Sequence, residues 1–130
     1  SVATSWSNDN GETWSEITFI DLPNNNSGID GITLKDGRHL LVYNHYRYIK
    51  GKRKERTPMN VAISNDGLHW KAATILEDSP INQYSYPSVI QGKDGKVHIV
   101  YTWRRQRIKY ACLDPQQLEV TSFEEADWQE

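Results

Sequence analysis

Apolar residues in this chain occur in short runs, each bounded by turn-forming residues such as Gly, Asn, Asp and Pro. Residues 40–43 (LLVY) and 98–101 (HIVY) are typical, and neither continues with the three-to-four spacing of an amphipathic helix. Short runs rich in β-branched and aromatic residues predict β-strands. The predicted strands cover residues 2–7, 13–20, 29–34, 38–44, 60–64, 70–76, 87–91, 96–103 and 107–113.

One turn sequence recurs at long range. Lys35-Asp36-Gly37 returns as Lys93-Asp94-Gly95, a step of 58 residues, and each copy precedes one of the two runs just quoted. Asp-Gly between two apolar runs is a strong hairpin signal, because Gly accepts the positive φ of a tight turn. A repeat of this length indicates a propeller, a solenoid or an array of similar units.

A longer motif repeats in the same way. Residues 7–14 read SNDNGETW, and 57 positions later residues 64–70 read SNDGLHW. Ser and Asp side chains bond nearby backbone amides, which favours a tight turn, and the Gly supplies the positive φ. The Trp that follows is a large apolar plate able to pack under the turn. We therefore interpret both segments as hairpin turns of one repeating unit.

Four strands for each repeat, joined by short turns, form the unit of a β-propeller blade. We therefore expect an all-β chain of partial propeller blades, built from four-stranded antiparallel sheets. Residues 1–21 are predicted to supply the third and fourth strands of one blade, 27–78 a complete blade, and 83–114 the first three strands of a further blade. Residues 115–130 form an acidic tail, in which 118–123 is either one more strand or a frayed end.

Composition narrows the function classes only slightly. A net charge of −2 gives no support to nucleic-acid binding, and no apolar stretch approaches the ~18 residues of a membrane span. The single cysteine, Cys112, forms no intrachain disulfide, and no His or Cys cluster has metal-site spacing. We expect a soluble protein of unknown compartment, without a visible signal peptide, metal or other cofactor, and without a nucleic-acid or membrane partner.

The two longer motifs resemble the Asp-boxes, or BNR repeats, of sialidases and related six-bladed propellers. Residues 23–30, 36–45, 56–70 and 84–113 are also similar to the C-terminal third of such a protein, so the resemblance extends over residues 5–115. It implies that the Asp-boxes are structural and lie on the rim away from the pocket. It also implies that the pocket is built by the loops 24–30, 44–57, 80–86 and 102–106.

The residues of these loops suit an acidic sugar, because Arg binds a carboxylate through two parallel hydrogen bonds and aromatic rings can stack on a sugar face. The resemblance offers Tyr84, Asp30 and His45 as catalytic residues. Tyr84 lies in a Tyr-Ser segment similar to the one that holds the sialidase nucleophile, Asp30 lies near its activating carboxylate, and His45 is a candidate general acid or base. The candidate substrate-binding residues are Asn44, Arg47, Arg56, Tyr86, Trp103, Arg104 and Arg105.

Each catalytic candidate also has a structural interpretation, since Tyr84 and His45 can simply pack and Asp30 can cap a turn. Asn44 and His45 occupy the place where sialidases carry one Arg of the triad that binds the substrate carboxylate. Two function classes therefore stay open: a glycoside hydrolase or lyase on an acidic glycan, and a non-catalytic propeller that binds a glycan or a protein. The basic run 50–56 is either a solvated hairpin tip or a contact for an anionic polymer.

The predicted strands amount to about two blades, whereas repeat architectures usually need at least three units to bury their faces. Either the chain is a fragment of a longer propeller, or copies associate to close a ring. Three copies in head-to-tail contact would complete six blades. We therefore expect a homo-oligomer, such as a trimer, or a part of a longer chain, with an acidic oligosaccharide as its ligand.

Overall fold

The computed structural model describes residues 1–51, 55–81 and 83–128. Throughout these ranges the regular structure is β-strand, with no α-helix, and the strands form three antiparallel sheets. No helix in the described ranges is long and apolar enough to cross a membrane. The strands are β1 (Ala3–Thr4), β2 (Thr18–Phe19), β3 (Asp30–Thr33), β4 (His39–Tyr43), β5 (Met59–Ser64), β6 (Trp70–Glu77), β7 (Tyr84–Gln91), β8 (Val97–Trp103) and β9 (Arg107–Leu113).

Each sheet is made of strands that are consecutive in the chain. The first sheet pairs β1 with β2, the second sheet has the order β3-β4-β5-β6, and the third sheet has the order β7-β8-β9. Short turns join β3 to β4 and β7 to β8, at Gly37 and Gly95, whose φ angles are +92° and +82°. The expected all-β architecture of partial propeller blades is confirmed. One sheet has the full set of four strands.

The apolar core lies on both faces of the second sheet. Because successive side chains of a strand point to opposite faces, Leu40 and Val42 of β4 join one cluster and Leu41 and Tyr43 join another. The first cluster packs against the third sheet, including Ile99 of β8, and the other packs against residues that flank β1 and β2. All six residues of β5 are buried. The second sheet is thus the middle layer of a stack.

Both Asp-box turns have the same internal pattern of hydrogen bonds. In the first, the Ser7 hydroxyl donates to Asp9 (2.8 Å), the Asp9 carboxylate accepts from the Thr13 amide (2.9 Å), and the Trp14 indole donates to the Gly11 carbonyl (3.1 Å). Hydrogen bonds from Thr13 hold the pKa of Asp9 at about 2. The carboxylate therefore stays ionised and keeps its bonds to the turn over the ordinary pH range.

The second box repeats this pattern around Asp66. Its carboxylate accepts from the amides of Leu68 (2.9 Å) and His69 (2.8 Å), and the Trp70 indole donates to the Gly67 carbonyl (3.1 Å). Gly67 has a φ of +74° and lies against the indole of Trp6, a residue of the N-terminal segment. The turn of the second sheet thus supports the layer that precedes it.

Several boundaries differ from the sequence-based expectation. The predicted strands 2–7 and 13–20 shorten to two residues each, because residues 11–19 are exposed and do not pack as a sheet face. Residues 118–123 are not a fourth strand of the third sheet: Thr121 instead exchanges two 3.0 Å backbone hydrogen bonds with Ala72, at the outer edge of β6. Residues 52–54 of the predicted basic run, and 129–130 of the acidic tail, lie outside the described residues.

We expect Gly67→Ala to destabilise the fold more than Gly37→Ala. Both glycines have positive φ, so each alanine costs about 1–2 kcal/mol in the left-handed region. A Cβ at Gly67 would also lie 2.7 Å from the Trp6 ring, whereas a Cβ at Gly37 meets nothing within 4 Å. Overpacking should add about 1–3 kcal/mol at Gly67 alone. Urea unfolding followed by circular dichroism measures both values, and equal losses would contradict the packing of Trp6 on the turn.

We also expect copies of the chain to associate through the ends of the stack. The outer face of the third sheet exposes Ile90, Val100 and Ile108, at 61%, 40% and 68% of their full area. In the 58-residue repeat, Ile90 corresponds to Ile32 and Val100 corresponds to Val42. The face of the second sheet that carries Ile32 and Val42 is covered by the third sheet. At the other end of the stack, the first sheet exposes Phe19 at 72%. The face of one copy can therefore continue the stack of another.

Light scattering at micromolar concentration tests this association. Val100→Lys should shift the mass towards the monomer, because it places a charge in the apolar contact. The control is Ile81→Lys, at an exposed residue in the β6–β7 loop, which should leave the mass unchanged. A folded wild-type monomer with cooperative melting would refute the prediction.

Candidate functional site

The loops that the resemblance assigns to the pocket meet at one end of the sheet stack. Asn44, just after β4, is fully buried and donates from Nδ2 to the carbonyls of Pro58 (2.8 Å) and Tyr84 (3.1 Å). The Tyr84 amide in turn donates to the Arg56 carbonyl (2.8 Å). One side chain thus links the β4–β5 connection to the first residue of β7. Asn44 therefore holds this end of the stack together.

The β8–β9 turn carries two adjacent arginines in an unusual backbone conformation. Arg104 and Arg105 have φ angles of +52° and +56°, and the Gln106 amide closes the turn on the Trp103 carbonyl (3.0 Å). Two successive positive φ values define the type I′ hairpin turn, which normally selects Asn and Gly. Strained positions of this kind cluster at functional sites. The turn is the strongest local indication of function in the described chain.

The two arginines are held by specific partners. Arg104 donates from Nε to the Tyr84 hydroxyl (3.3 Å) and from Nη2 to Ser79 Oγ (3.1 Å), while Arg105 donates from Nε to Gln83 Oε1 (2.8 Å). These contacts fix the guanidinium groups above the β6–β7 loop. Ser79 and Gln83 were not among the sequence candidates. Gln83 lies in the predicted pocket loop 80–86, whereas Ser79 lies one residue before it and had no sequence signal.

Trp103 lies between two cations. The guanidinium of Arg104 is 4.4 Å from the centroid of its ring and that of Arg107 is 4.2 Å away. Such cation–π contacts stabilise both partners and orient the planar groups. Trp103 also lies beside the ring of Tyr84, with 6.5 Å between centroids. The indole therefore joins the arginine turn to the buried start of β7.

Tyr86 presents a second exposed aromatic ring on this side. It has a φ of +50°, is 63% exposed, and carries the Arg56 guanidinium 5.1 Å from its ring centroid. A Cβ at Gly28 would lie 3.3 Å from the ring, so the absence of a side chain there lets the tyrosine approach the 24–30 loop. Arg47 is exposed in the segment that follows His45. Arginine and aromatic groups are thus interleaved on this end.

Asp30 makes hydrogen bonds to the backbone of two sheets. One carboxylate oxygen accepts from the Val89 amide of β7 (2.8 Å), and the other accepts from the amide of Gly31 (3.0 Å). The Val89 bond lies next to the irregularity in β7 between Ser85 and Ser88. Asp30 therefore ties the second sheet to the third, and the catalytic role assigned to it stays a prediction.

His45 lies on the opposite face of the second sheet from Asp30. Its ring is 2% exposed, accepts or donates a 2.6 Å hydrogen bond with the Tyr43 hydroxyl, and packs against Phe123 (5.1 Å) and Trp128 (5.3 Å) of the tail. Burial raises the pKa of Tyr43, so the phenol is neutral. The structure therefore does not bring His45 together with Asp30 and Tyr84, which both lie on the side where the second sheet meets the third.

One polar cluster between the sheets was not foreseen from the sequence. The Tyr101 hydroxyl donates to Glu77 Oε1 (2.8 Å), and the same oxygen accepts from Lys109. Burial and the neighbouring Glu77 raise the pKa of Tyr101. Glu77 is the last residue of β6. Nothing in the sequence around this strand end indicated that its carboxylate would bond Tyr101 and Lys109. Among the described residues, no group of three or more His, Cys, Asp or Glu side chains could hold a metal ion.

We expect Asp30→Ala to lower the free energy of unfolding by about 1–3 kcal/mol, because the Val89 amide loses its partner inside the fold. Asp30→Asn should lose less, since it keeps one acceptor oxygen. Asp21→Ala removes an exposed carboxylate and is the control. Urea unfolding measures the differences. An Asp30→Ala variant as stable as the control would show that the tie to β7 contributes nothing.

The comparisons with known proteins agree with the two Asp-box turns. The family model of the BNR repeat-like domain matches residues 1–99, a range that includes both boxes and the second Lys-Asp-Gly turn. It ends before the arginine turn at Arg104 and Arg105. No curated protein and no solved structure matches the chain. With a family model covering most of its length and the fold of partial propeller blades, this chain belongs to the BNR repeat-like domain family.

Proposed function

We propose that the chain is part of a sialidase-like, carbohydrate-active propeller whose loop end binds an acidic glycan. The observation that carries this proposal is the strained turn at Arg104 and Arg105, which sets the Arg104 guanidinium over the ring of Trp103. On the same end of the stack, the Arg56 guanidinium lies over the ring of Tyr86. Cations and flat apolar surfaces side by side match the carboxylate and the ring face of an acidic sugar. The BNR repeat-like family supports the propeller part of the proposal.

The arginines retain the capacity to bind a carboxylate. Guanidinium has five N–H donors, and the hydrogen bonds of Arg104 to Tyr84 and Ser79 use two of them. Those contacts also fix the side chain, so less rotamer entropy is lost when a ligand binds. A carboxylate would meet a positioned fork at Arg104, with Arg105 next to it on the same turn.

Binding is the function that the geometry supports best. Tyr84 is fully buried, and His45 faces the other side of the second sheet. A nucleophile or a general acid must reach the glycosidic bond, whereas a binding surface needs only the exposed ends of the arginines and aromatic rings. The non-catalytic interpretation of the loop end therefore takes precedence over a catalytic one.

Cleavage of the glycosidic bond, by hydrolysis or by elimination, is the second candidate. One contact favours it: the Arg104 guanidinium lies 3.3 Å from the Tyr84 hydroxyl, the residue that resembles the sialidase nucleophile. In the hydrolysis, the Tyr84 oxygen would bond to the anomeric carbon as the bond to the leaving sugar oxygen breaks, with the phenol proton passing to a base and a second proton passing to the leaving oxygen. Water would then displace Tyr84 and release the sugar, while the arginines held the sugar carboxylate. Asp30 and His45 stay predictions as the activating carboxylate and the proton carrier.

Titration calorimetry with glucuronate-containing and sialate-containing oligosaccharides tests binding. We expect Arg104→Gln with Arg105→Gln to weaken binding about tenfold or more, because charge-assisted hydrogen bonds are lost. Binding should also weaken as salt is raised. Arg38→Gln is the control, since Arg38 pairs with Asp36 in the β3–β4 turn at the other end of the strands. No binding by the wild type, or equal binding by the double arginine variant, would refute the proposal.

Product analysis of the same oligosaccharides tests the second candidate. Turnover by the wild type that is lost in Tyr84→Phe, with binding retained, would establish a catalytic tyrosine. Binding without turnover, unchanged in Tyr84→Phe, would remove the enzyme interpretation and leave the binding function.

A further inference from the structure

We propose that the loop end of the stack binds two acidic groups of one glycan chain, at two separate arginine–aromatic subsites. This inference rests on the acidic-glycan function proposed above and specifies its ligand, which is a segment of chain with carboxylates on successive or alternate sugars rather than one terminal sugar. Subsite A comprises Trp103, Arg104 and Arg107, and subsite B comprises Tyr86 and Arg56.

The two subsites lie on opposite sides of the chain where β7 begins. In an extended strand, the N–H and C=O of one residue point to the same side, and those of the next residue point to the other. The Tyr84 amide donates to the Arg56 carbonyl (2.8 Å) and the Tyr84 carbonyl accepts from Asn44 (3.1 Å), so this side faces the β4–β5 connection. The Gln83 carbonyl accepts from the Arg104 amide (2.6 Å), on the side of β8. Subsite B therefore flanks β7 on the first side and subsite A on the second.

The spacing of the subsites fits two carboxylates better than one. Trp103 is the register partner of Tyr84, and Tyr86 lies two residues further along β7. Diagonal neighbours of this kind have Cα atoms about 7–8 Å apart. Each guanidinium is held at its own ring, 4.4 Å from the centroid for Arg104 and 5.1 Å for Arg56. The two cations are thus anchored apart, which suits separate acidic groups on one chain.

Each subsite contains a residue with a positive φ, +52° at Arg104 and +50° at Tyr86. Tyr86 also precedes Pro87, which ordinarily keeps the residue before it extended. Strained conformations persist only where the surrounding structure determines them, and they cluster at ligand sites. Gly28 gives room for subsite B, since a Cβ there would lie 3.3 Å from the Tyr86 ring. The ring remains 63% exposed and so presents a surface for a sugar.

The charge of this end favours a ligand with several negative groups. Residues 44–57 of the β4–β5 connection contain six Lys and Arg residues and one acid, Glu55. Residues 102–107 contain three Arg residues and no acid. Clustered charge of one sign attracts a ligand of the opposite sign. A chain with a carboxylate on every sugar or every second sugar matches this excess, whereas one sugar acid neutralises a single unit of it.

Hyaluronan oligosaccharides test the inference, because each disaccharide repeat adds one glucuronate carboxylate. Titration calorimetry compares the disaccharide, the tetrasaccharide and the hexasaccharide. We expect the tetrasaccharide to bind about tenfold or more tighter than the disaccharide, since its second contact forms within the complex. The hexasaccharide should bind only about twofold tighter than the tetrasaccharide, which is the statistical gain from an additional register.

Arg56→Gln removes the cation of subsite B and keeps the backbone carbonyl that accepts from Tyr84. It should lower the ratio of tetrasaccharide to disaccharide affinity to about two, the statistical value. Tyr86→Ala, at an exposed position, should lower the same ratio and covers the case in which Arg56→Gln does not fold. Arg38→Gln is the control at the other end of the strands and should keep the wild-type ratio.

The outcomes separate this inference from the proposed function. A wild-type ratio of about two, or a ratio that neither Arg56→Gln nor Tyr86→Ala changes, would overturn the two subsites while acidic-glycan binding stands. No binding of the three oligosaccharides would also overturn them, and the sialate-containing oligosaccharides then test the proposed function by themselves. Equally tight binding of an oligothymidylate with the charge of the tetrasaccharide would show a surface for polyanions in general and would overturn subsites for sugars.

Discussion

The structure depends on the burial of both faces of the second sheet. A strand whose side chains alternate between two apolar environments cannot be stable unless a layer covers each side. β4 and β5 satisfy this condition, with Val42 and Val61 in one cluster and Leu41 and Ala62 in the other. The neighbouring sheets are therefore required for the middle one. The burial of both faces therefore produces a stack of sheets rather than a sheet with one solvent-exposed face.

Stacking also decides where polar chemistry can occur. Consecutive sheets bring the ends of their strands to a common level, so the connections between them meet at the end of the stack. There Asn44 bonds the Tyr84 carbonyl and Arg104 bonds the Tyr84 hydroxyl, although these residues are far apart in sequence. The groups close to the core, such as Asn44 and Tyr84, are buried. The groups one step further out, such as Arg105 and Tyr86, are exposed.

Local patterns were sufficient to predict the strands of the second and third sheets and the Asp-box turns, because apolar runs and Gly-containing turns act over a few residues. Hence β9 begins and ends where the sequence indicated, and both boxes have the expected bonds around Asp9 and Asp66. The candidate site was less accessible to such reasoning. Which face of the sheet His45 occupies depends on the strand register and on the tail that covers it. The strain in the turn at Arg104 was not predicted, because Arg-Arg is not a sequence signal for a turn. The positive φ angles there are imposed by the surrounding backbone.

The hydrogen bonds between Thr121 and Ala72 have a consequence for how the sheets can grow. The outer strand β6 would otherwise present unpaired amides and carbonyls, which recruit strands from other chains. The tail occupies part of that edge, and the edge strand β9 of the third sheet carries Arg107 and Lys109, whose charges discourage pairing in line. Lateral addition of a strand is thereby disfavoured at the β6 edge of the second sheet and at the β9 edge of the third sheet. Fibre growth would use the edges of the sheets, whereas ordered stacking of copies would use their faces. The edges at β6 and β9 are obstructed, while the outer face of the third sheet is exposed.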